Sequence, residues 1–268
     1  MFFILLFMPV FLALLSVFLL IVSILIVIIL TFTVCKLIVD NILLFLVAIL
    51  PVIVLAFYIY HKDKNKETIG LLVKLFIWGL GALCIAAILE NLVNIFIDYE
   101  NLSLVGLFIY IFFCVALVEV LCKWFFVYKM SYNHYEFDEV FDIIVYSAFV
   151  SLWFACFENI WYVLDGDMEI AFWRGLTAVP CHFFDGIFMW YYLAKAKVSD
   201  INKNYHSKKI NIFLSILIPV IFHCIYDFCC FSDNEALWGL FFLFVIIYYS
   251  SSFKRIKKMS GENRKLKV

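Results

Sequence analysis

Five side chains able to accept or donate a proton sit where the chain is otherwise apolar: Glu119, Glu158, His182, His223 and Asp227. An ionisable group at the centre of a bilayer costs roughly 2.5–3.5 kcal/mol on insertion scales, so such groups are functional candidates that should face the bundle interior. Glu119 and Lys123 in "EVLCK" are four residues apart and share a helix face, as an internal ion pair would. In "FACFEN", Phe154 and Glu158 share a face and Asn159 comes next. "RGLTAVPCH" sets Arg174 and Pro180 ahead of His182, and Asp185 comes three residues later. A proline inside a membrane helix is tolerated where other groups re-satisfy the freed backbone. In "HCIYD", His223 and Asp227 lie one turn apart, a spacing that lets a carboxylate orient an imidazole or lets both hold one metal. Carboxylates and imidazoles converging in a dry cavity are what hydrolysis requires. A carboxylate serves as general base on water, and an imidazole donates to the oxyanion or binds a metal that activates the water.

The elements that must position these groups are membrane helices. Of 268 residues 67% are hydrophobic and 15% charged, against about 25% charged in soluble domains. The long apolar runs exceed the roughly 20 residues that cross hydrocarbon. They are of helix length and do not alternate, which excludes an outer-membrane barrel. The fold class is therefore all-α, a polytopic membrane bundle of about eight helices with the catalytic cavity inside it. The spans read 4–34, 42–60, 70–97, 103–128, 140–164, 170–194, 210–231 and 236–253. The first, with no basic n-region and no small-residue cleavage pattern, reads as a retained helix rather than a signal peptide. Nine cysteines, nearly all within apolar runs, read as small buried residues and not as a disulfide framework.

The connections alternate in charge. The segment 61–68, the segments 129–139 and 195–209 and the C-terminal tail together hold sixteen Lys and Arg residues, whereas "DYEN", "DGDME" and "SDNE" are acidic. Because Lys and Arg concentrate in cytoplasmic loops, both termini are expected in the cytoplasm. Three regions result: residues 1–41, an additional N-terminal helix and loop; residues 42–253, the core; and residues 254–268, a basic cytoplasmic tail.

In order and spacing these motifs resemble those of the PrsW family of intramembrane proteases, itself distantly similar to the prenyl-protein endopeptidases and bacteriocin-processing membrane proteases. The pattern Glu-Glu-x-x-Lys matches at Glu119 and Lys123, with Val120 at the second Glu. Phe-x-x-x-Glu-Asn matches at Phe154, Glu158 and Asn159. Pro-x-His after an Arg matches at Arg174, Pro180 and His182, and His-x-x-x-Asp matches at His223 and Asp227. The resemblance covers about residues 45 to 232. It implies an endopeptidase of the bacterial plasma membrane that cuts single-pass regulators of the anti-sigma-factor kind, as a first cut near the outer face.

Under that resemblance Glu119 or Glu158 is the base, His182 and His223 stabilise the oxyanion or bind metal, and Asp227 orients His223. Lys123 sets the charge state of Glu119, and Phe154, Asn159 and Arg174 support. The cofactor is none or one zinc ion, with Glu158, His182 and His223 as ligands; the lack of an HExxH arrangement favours the metal-free version. Two other readings stand beside it. A proton-coupled transporter would use the same residue types in a relay, but it usually shows internal repeats, and none is apparent. A catalytically impaired homologue would bind membrane helices without cutting them.

Overall fold

The structure is a computed structural model that describes residues 39–63, 65–132, 139, 141–232 and 234–261, with Ser23, Ile26, Leu30, Thr31 and Lys36 as isolated positions. The expected first span, 4–34, and the end of the tail, 262–268, lie almost wholly outside the described residues. The chain divides into two units, Met1–Leu46 and Val47–Val268, and the second carries the candidate site.

Among the described residues regular structure is helical. The helices are α1 (Val39–Lys62), α2 (Ile69–Asn94), α3 (Leu104–Tyr110), α4 (Leu117–Ser131), α5 (Asp142–Asp165), α6 (Met168–Leu176), α7 (Ala178–Ile201), α8 (Tyr205–Phe231) and α9 (Glu235–Gly261). A π turn over Ile111–Ala116 joins α3 to α4 in one continuous rod. Six helices are long and apolar enough to cross a membrane: α1, α2, the α3–α4 rod, α5, α8 and α9. The protein is a polytopic helical bundle, and the described residues account for six such spans rather than eight.

Side-chain oxygens fix several helix starts. Thr68, Ser103, Asp167 and Asn204 each accept a backbone N–H from the first turn of α2, α3, α6 and α8, satisfying donors that a helix start otherwise leaves open. Both α5 and α7 are buried along most of their length, and α7 packs against α5 and α8. By contrast α2 and α9 present exposed large apolar side chains, among them Val73, Ile77, Ile88, Leu243 and Ile247, the surface that hydrocarbon covers. Gly79 lets α2 approach α5: a Cβ there would stand 2.7 Å from both Trp153 Cβ and the Val150 carbonyl oxygen. The oxygen belongs to a helix backbone and cannot swing aside. Gly79→Ala is expected to cost about 1–3 kcal/mol through overpacking, read as a lower thermal midpoint of the detergent-purified protein.

The single span expected over 170–194 is two helices. Thr177 breaks the run with φ −122 and ψ −58. Its hydroxyl donates back to Trp173 O and meets the Tyr226 hydroxyl, while the Tyr249 hydroxyl donates to Leu176 O and Thr177 O. Three hydroxyls thus satisfy what the break exposes. Pro180 consequently falls in the first turn of α7, where its missing N–H leaves no intrahelical bond unmade, instead of bending a helix interior. The segment expected as the loop 195–209 is helical save for Asn202–Asn204, and Lys254, Arg255, Lys257 and Lys258, expected in a tail, belong to α9.

Candidate functional site

The π turn carries one residue more than an α turn, which rotates the helix beyond it by about 100°. In that helix both Glu119 and Lys123 point inwards and are buried. Lys123 is 0% exposed and reaches no membrane surface; its ammonium lies 3.0 Å from Glu119 Oε2, 3.1 Å from His182 Nδ1 and 4.0 Å from the centre of the Phe154 ring. Val120, at the place of the second Glu of the motif, packs into the apolar core.

The imidazoles of His182 on α7 and His223 on α8 have ring centres 5.0 Å apart. An ammonium only donates, so His182 Nδ1 accepts from Lys123 and the ring proton sits on Nε2. That nitrogen lies 2.7 Å from Glu158 Oε2, off the hydrogen-bonding line. His223 Nδ1 lies 2.9 Å from Asp185 Oδ2, which places its proton there. The other nitrogen, Nε2, faces Asp227 Oδ2 at 3.1 Å and Glu119 Oε2 at 3.4 Å. Each ring therefore turns one nitrogen towards Glu119 and the other towards a different carboxylate.

Glu158, on α5, is held from the other side. Arg174 on α6 donates through Nη2 to Glu158 Oε1 at 3.2 Å and through Nε to Asn159 Oδ1 at 3.1 Å, and stacks over Tyr162. The amide of Asn159 donates to Ala48 O on α1. The structure thus gathers Glu119, Lys123, Phe154, Glu158, His182, His223 and Asp227 into one buried cluster, with Arg174 and Asn159 bracing its Glu158 side. The group whose ligand atoms converge within 4.8 Å is Glu119, His182 and His223. Glu158, expected to be the third ligand, is engaged instead by Arg174 and by the far nitrogen of His182.

The family described as PrsW family intramembrane metalloprotease matches residues 67–251. The chain belongs to the PrsW family. It is 42% identical over 174 residues to "Protease PrsW" of Oceanobacillus iheyensis, which covers 64% of this chain and 75% of that protein. It is 36% identical over 154 residues to "Protease PrsW" of Geobacillus kaustophilus, covering 57% and 65%, and 32% identical over 193 residues to that of Halalkalibacterium halodurans, covering 72% and 83%. No solved structure matches. The protein is accordingly an intramembrane protease with several membrane spans, acting on a membrane-protein substrate.

A metal is implied by the family description, and the donor set of this PrsW member fits one. Two imidazole nitrogens and a carboxylate oxygen are the chemistry of a three-ligand zinc site that keeps one position open. His182 Nδ1 would join that set once the Lys123 ammonium no longer donates to it. The remaining ring nitrogen of His223 is hydrogen-bonded to Asp185, the outer arrangement that fixes ligand orientation, and that of His182 lies beside Glu158. Two carboxylates, Glu119 and Asp227, around one point also demand positive charge, of which the Lys123 ammonium supplies one unit.

Asp185 and Tyr248 complete the site in a way that the sequence motifs do not announce. Asp185 is 1% exposed; it takes the His223 Nδ1 proton with one oxygen and the Tyr248 hydroxyl with the other, at 2.6 Å. Asp185, itself braced by Tyr248 from α9, therefore meets one ring nitrogen of His223, and Asp227, expected to orient that ring, meets the other at 3.1 Å. The only signal was a lone ionisable residue one turn beyond His182. Asp185→Asn is expected to lower both cleavage and metal affinity by about 10–100-fold, measured by substrate turnover and by metal titration of the purified protein.

Proposed function

We propose that this PrsW member is a metal-dependent endopeptidase that hydrolyses one peptide bond of a single-pass, anti-sigma-factor-like regulator in the bacterial plasma membrane. The observation that carries the reading is the convergence of Glu119, His182 and His223, with Asp185 and Glu158 behind the two imidazoles. These three residues would hold one zinc ion. When bound, it supplies a Lewis acid and lowers the pKa of a coordinated water.

The protein's own groups do the rest. Asp227, beside His223 Nε2 and at the edge of the neighbouring cavity, takes the proton of the attacking water and returns it to the leaving amine. Asp185 keeps the His223 proton on Nδ1, leaving Nε2 free as a donor of its lone pair. Arg174 holds Glu158 against His182, which keeps that ring in place. Phe154 closes one wall and keeps water from Lys123.

Glu158 lies about two turns from the end of α5, and His182 about one turn from the start of α7, beside the acidic connection 165–169. With the basic segments in the cytoplasm, both termini are cytoplasmic and the cut falls near the outer face. Val120 is no obstacle, since the cluster is assembled from carboxylates on α4, α5, α7 and α8.

The test is metal analysis of detergent-purified protein, paired with cleavage of a single-pass substrate in liposomes. One zinc per chain is expected, with activity lost in chelator and restored by zinc. Full turnover by metal-free protein would replace this mechanism with a metal-free glutamate mechanism.

A further inference from the structure

A cavity of about 510 Å³ opens between α6, α8 and α9. Its inner edge is made by Asp227 and Arg174, the residues that touch His223 and Glu158. Outwards its walls are mostly apolar, with Trp173 from α6, Cys230 from α8, and Trp238 and Phe241 from α9, and Glu169 of α6 adds one carboxylate to the lining. Trp173 and Trp238 are each nearly half exposed, so the rim of the cavity reaches the protein surface at α6 and at the start of α9. Its size falls within the ~300–1,000 Å³ of pockets that enclose small ligands, enough for one large side chain with its flanking backbone.

We infer that this cavity is the subsite that receives a bulky apolar side chain of the substrate next to the scissile bond, with the substrate entering laterally between α6 and α9. The inference rests on the protease reading above and adds to it the side-chain class and the path. Three observations support that occupant. The cavity is continuous with the cluster through Asp227, so whatever fills it is presented to the proposed base. Its apolar walls and aromatic rim suit a residue drawn from a membrane helix. The α6–α7 break at Thr177 makes α6 a short separate helix beside the opening, so the side wall ends well within the bundle's length.

The test uses the full-length protein in liposomes and two single-pass substrates that differ only in Phe or Ala beside the cut. The wild type is expected to prefer Phe. Cys230→Trp fills the cavity and is expected to lower the Phe/Ala ratio of kcat/KM by about tenfold or more, the scale of pocket-size discrimination. Phe241→Ala enlarges it and is expected to shift the ratio towards larger side chains such as Trp. A ratio unchanged in both variants overturns the inference, as does an equal fall for both substrates.

A second arm needs no turnover. With Trp238 replaced by p-benzoylphenylalanine in a Glu119→Gln background, illumination is expected to crosslink the substrate segment beside the cut. Crosslinks to lipid alone would show an acyl chain in the cavity and overturn the inference while leaving wild-type cleavage intact. Substrate crosslinks without cleavage by the wild type would instead sink the protease reading, and the subsite with it.

Discussion

Glu119→Gln is expected to reduce cleavage by about 10²–10⁴-fold, the range for losing a proton-transfer or charged group at the reacting centre, and to remove bound metal in parallel. Glu119 Oε2 is where the site converges: Lys123 Nζ at 3.0 Å, His223 Nε2 at 3.4 Å and His182 Nδ1 at 3.9 Å all surround that one oxygen. The amide keeps the shape and loses the charge. It can also turn an NH₂ donor towards the Lys123 ammonium, itself a donor, so an attraction becomes a clash of like polarity. Glu158→Gln makes the informative comparison. Glu158 meets His182 only on its far nitrogen and is anchored by Arg174, so its loss should weaken positioning while metal remains bound. Turnover of a reconstituted substrate and zinc content by atomic spectroscopy check both variants; a Glu119→Gln protein with wild-type rate and metal would refute the proposed centre.

Lys123→Met is expected to be the most destabilising single change, at about 3–5 kcal/mol, because it leaves Glu119 charged and buried without its partner. The methionine fills nearly the same volume, so the loss reports charge and not a void. The double variant Glu119→Gln/Lys123→Met removes both charges, and replacing a buried pair by neutral groups is often close to neutral in stability. It should recover most of the loss while remaining inactive. Unfolding midpoints of the three variants in one detergent, arranged as a double-mutant cycle, measure the coupling. Additive losses would show that the ammonium and the carboxylate act independently, contrary to their 3.0 Å contact.

Much of this was legible in the sequence because membrane physics leaves few alternatives. Apolar runs of helix length marked out α1, α2, the α3–α4 rod and α5 to within a few residues, and located α8 and α9 while missing the polar turns at the start of α8 and the end of α9. The energetic cost of Glu119, Glu158, His182, His223 and Asp227 in such runs singled them out before any contact was known. What stayed hidden depended on distance between helices. Spacing along α8 suggested that Asp227 orients His223, since residues four apart share a face, but it could not show that Asp185 reaches across from α7 to the other ring nitrogen. Nor could it reveal that Arg174 claims Glu158, which passes the role of third converging ligand to Glu119. The break at Thr177 was illegible for a similar reason. Its hydroxyl and carbonyls are met by tyrosines on α8 and α9, far along the chain, and local propensity carries no trace of them. The π turn ahead of Glu119 likewise has no proline or glycine to announce it.

The polarity of α7 bears on how the molecule is made. With His182, Asp185, Lys195 and Lys197 along its length, this segment is not apolar enough to count as a spanning helix by itself. An insertion channel that judges each emerging segment by its affinity for lipid would leave it in water. Its polar groups find partners on α4, α5, α8 and α9, and the last two are synthesised after it. A nascent chain halted after Ile201, before α8 and α9 exist, is therefore expected to hold that segment in lipid less firmly than the full-length protein does.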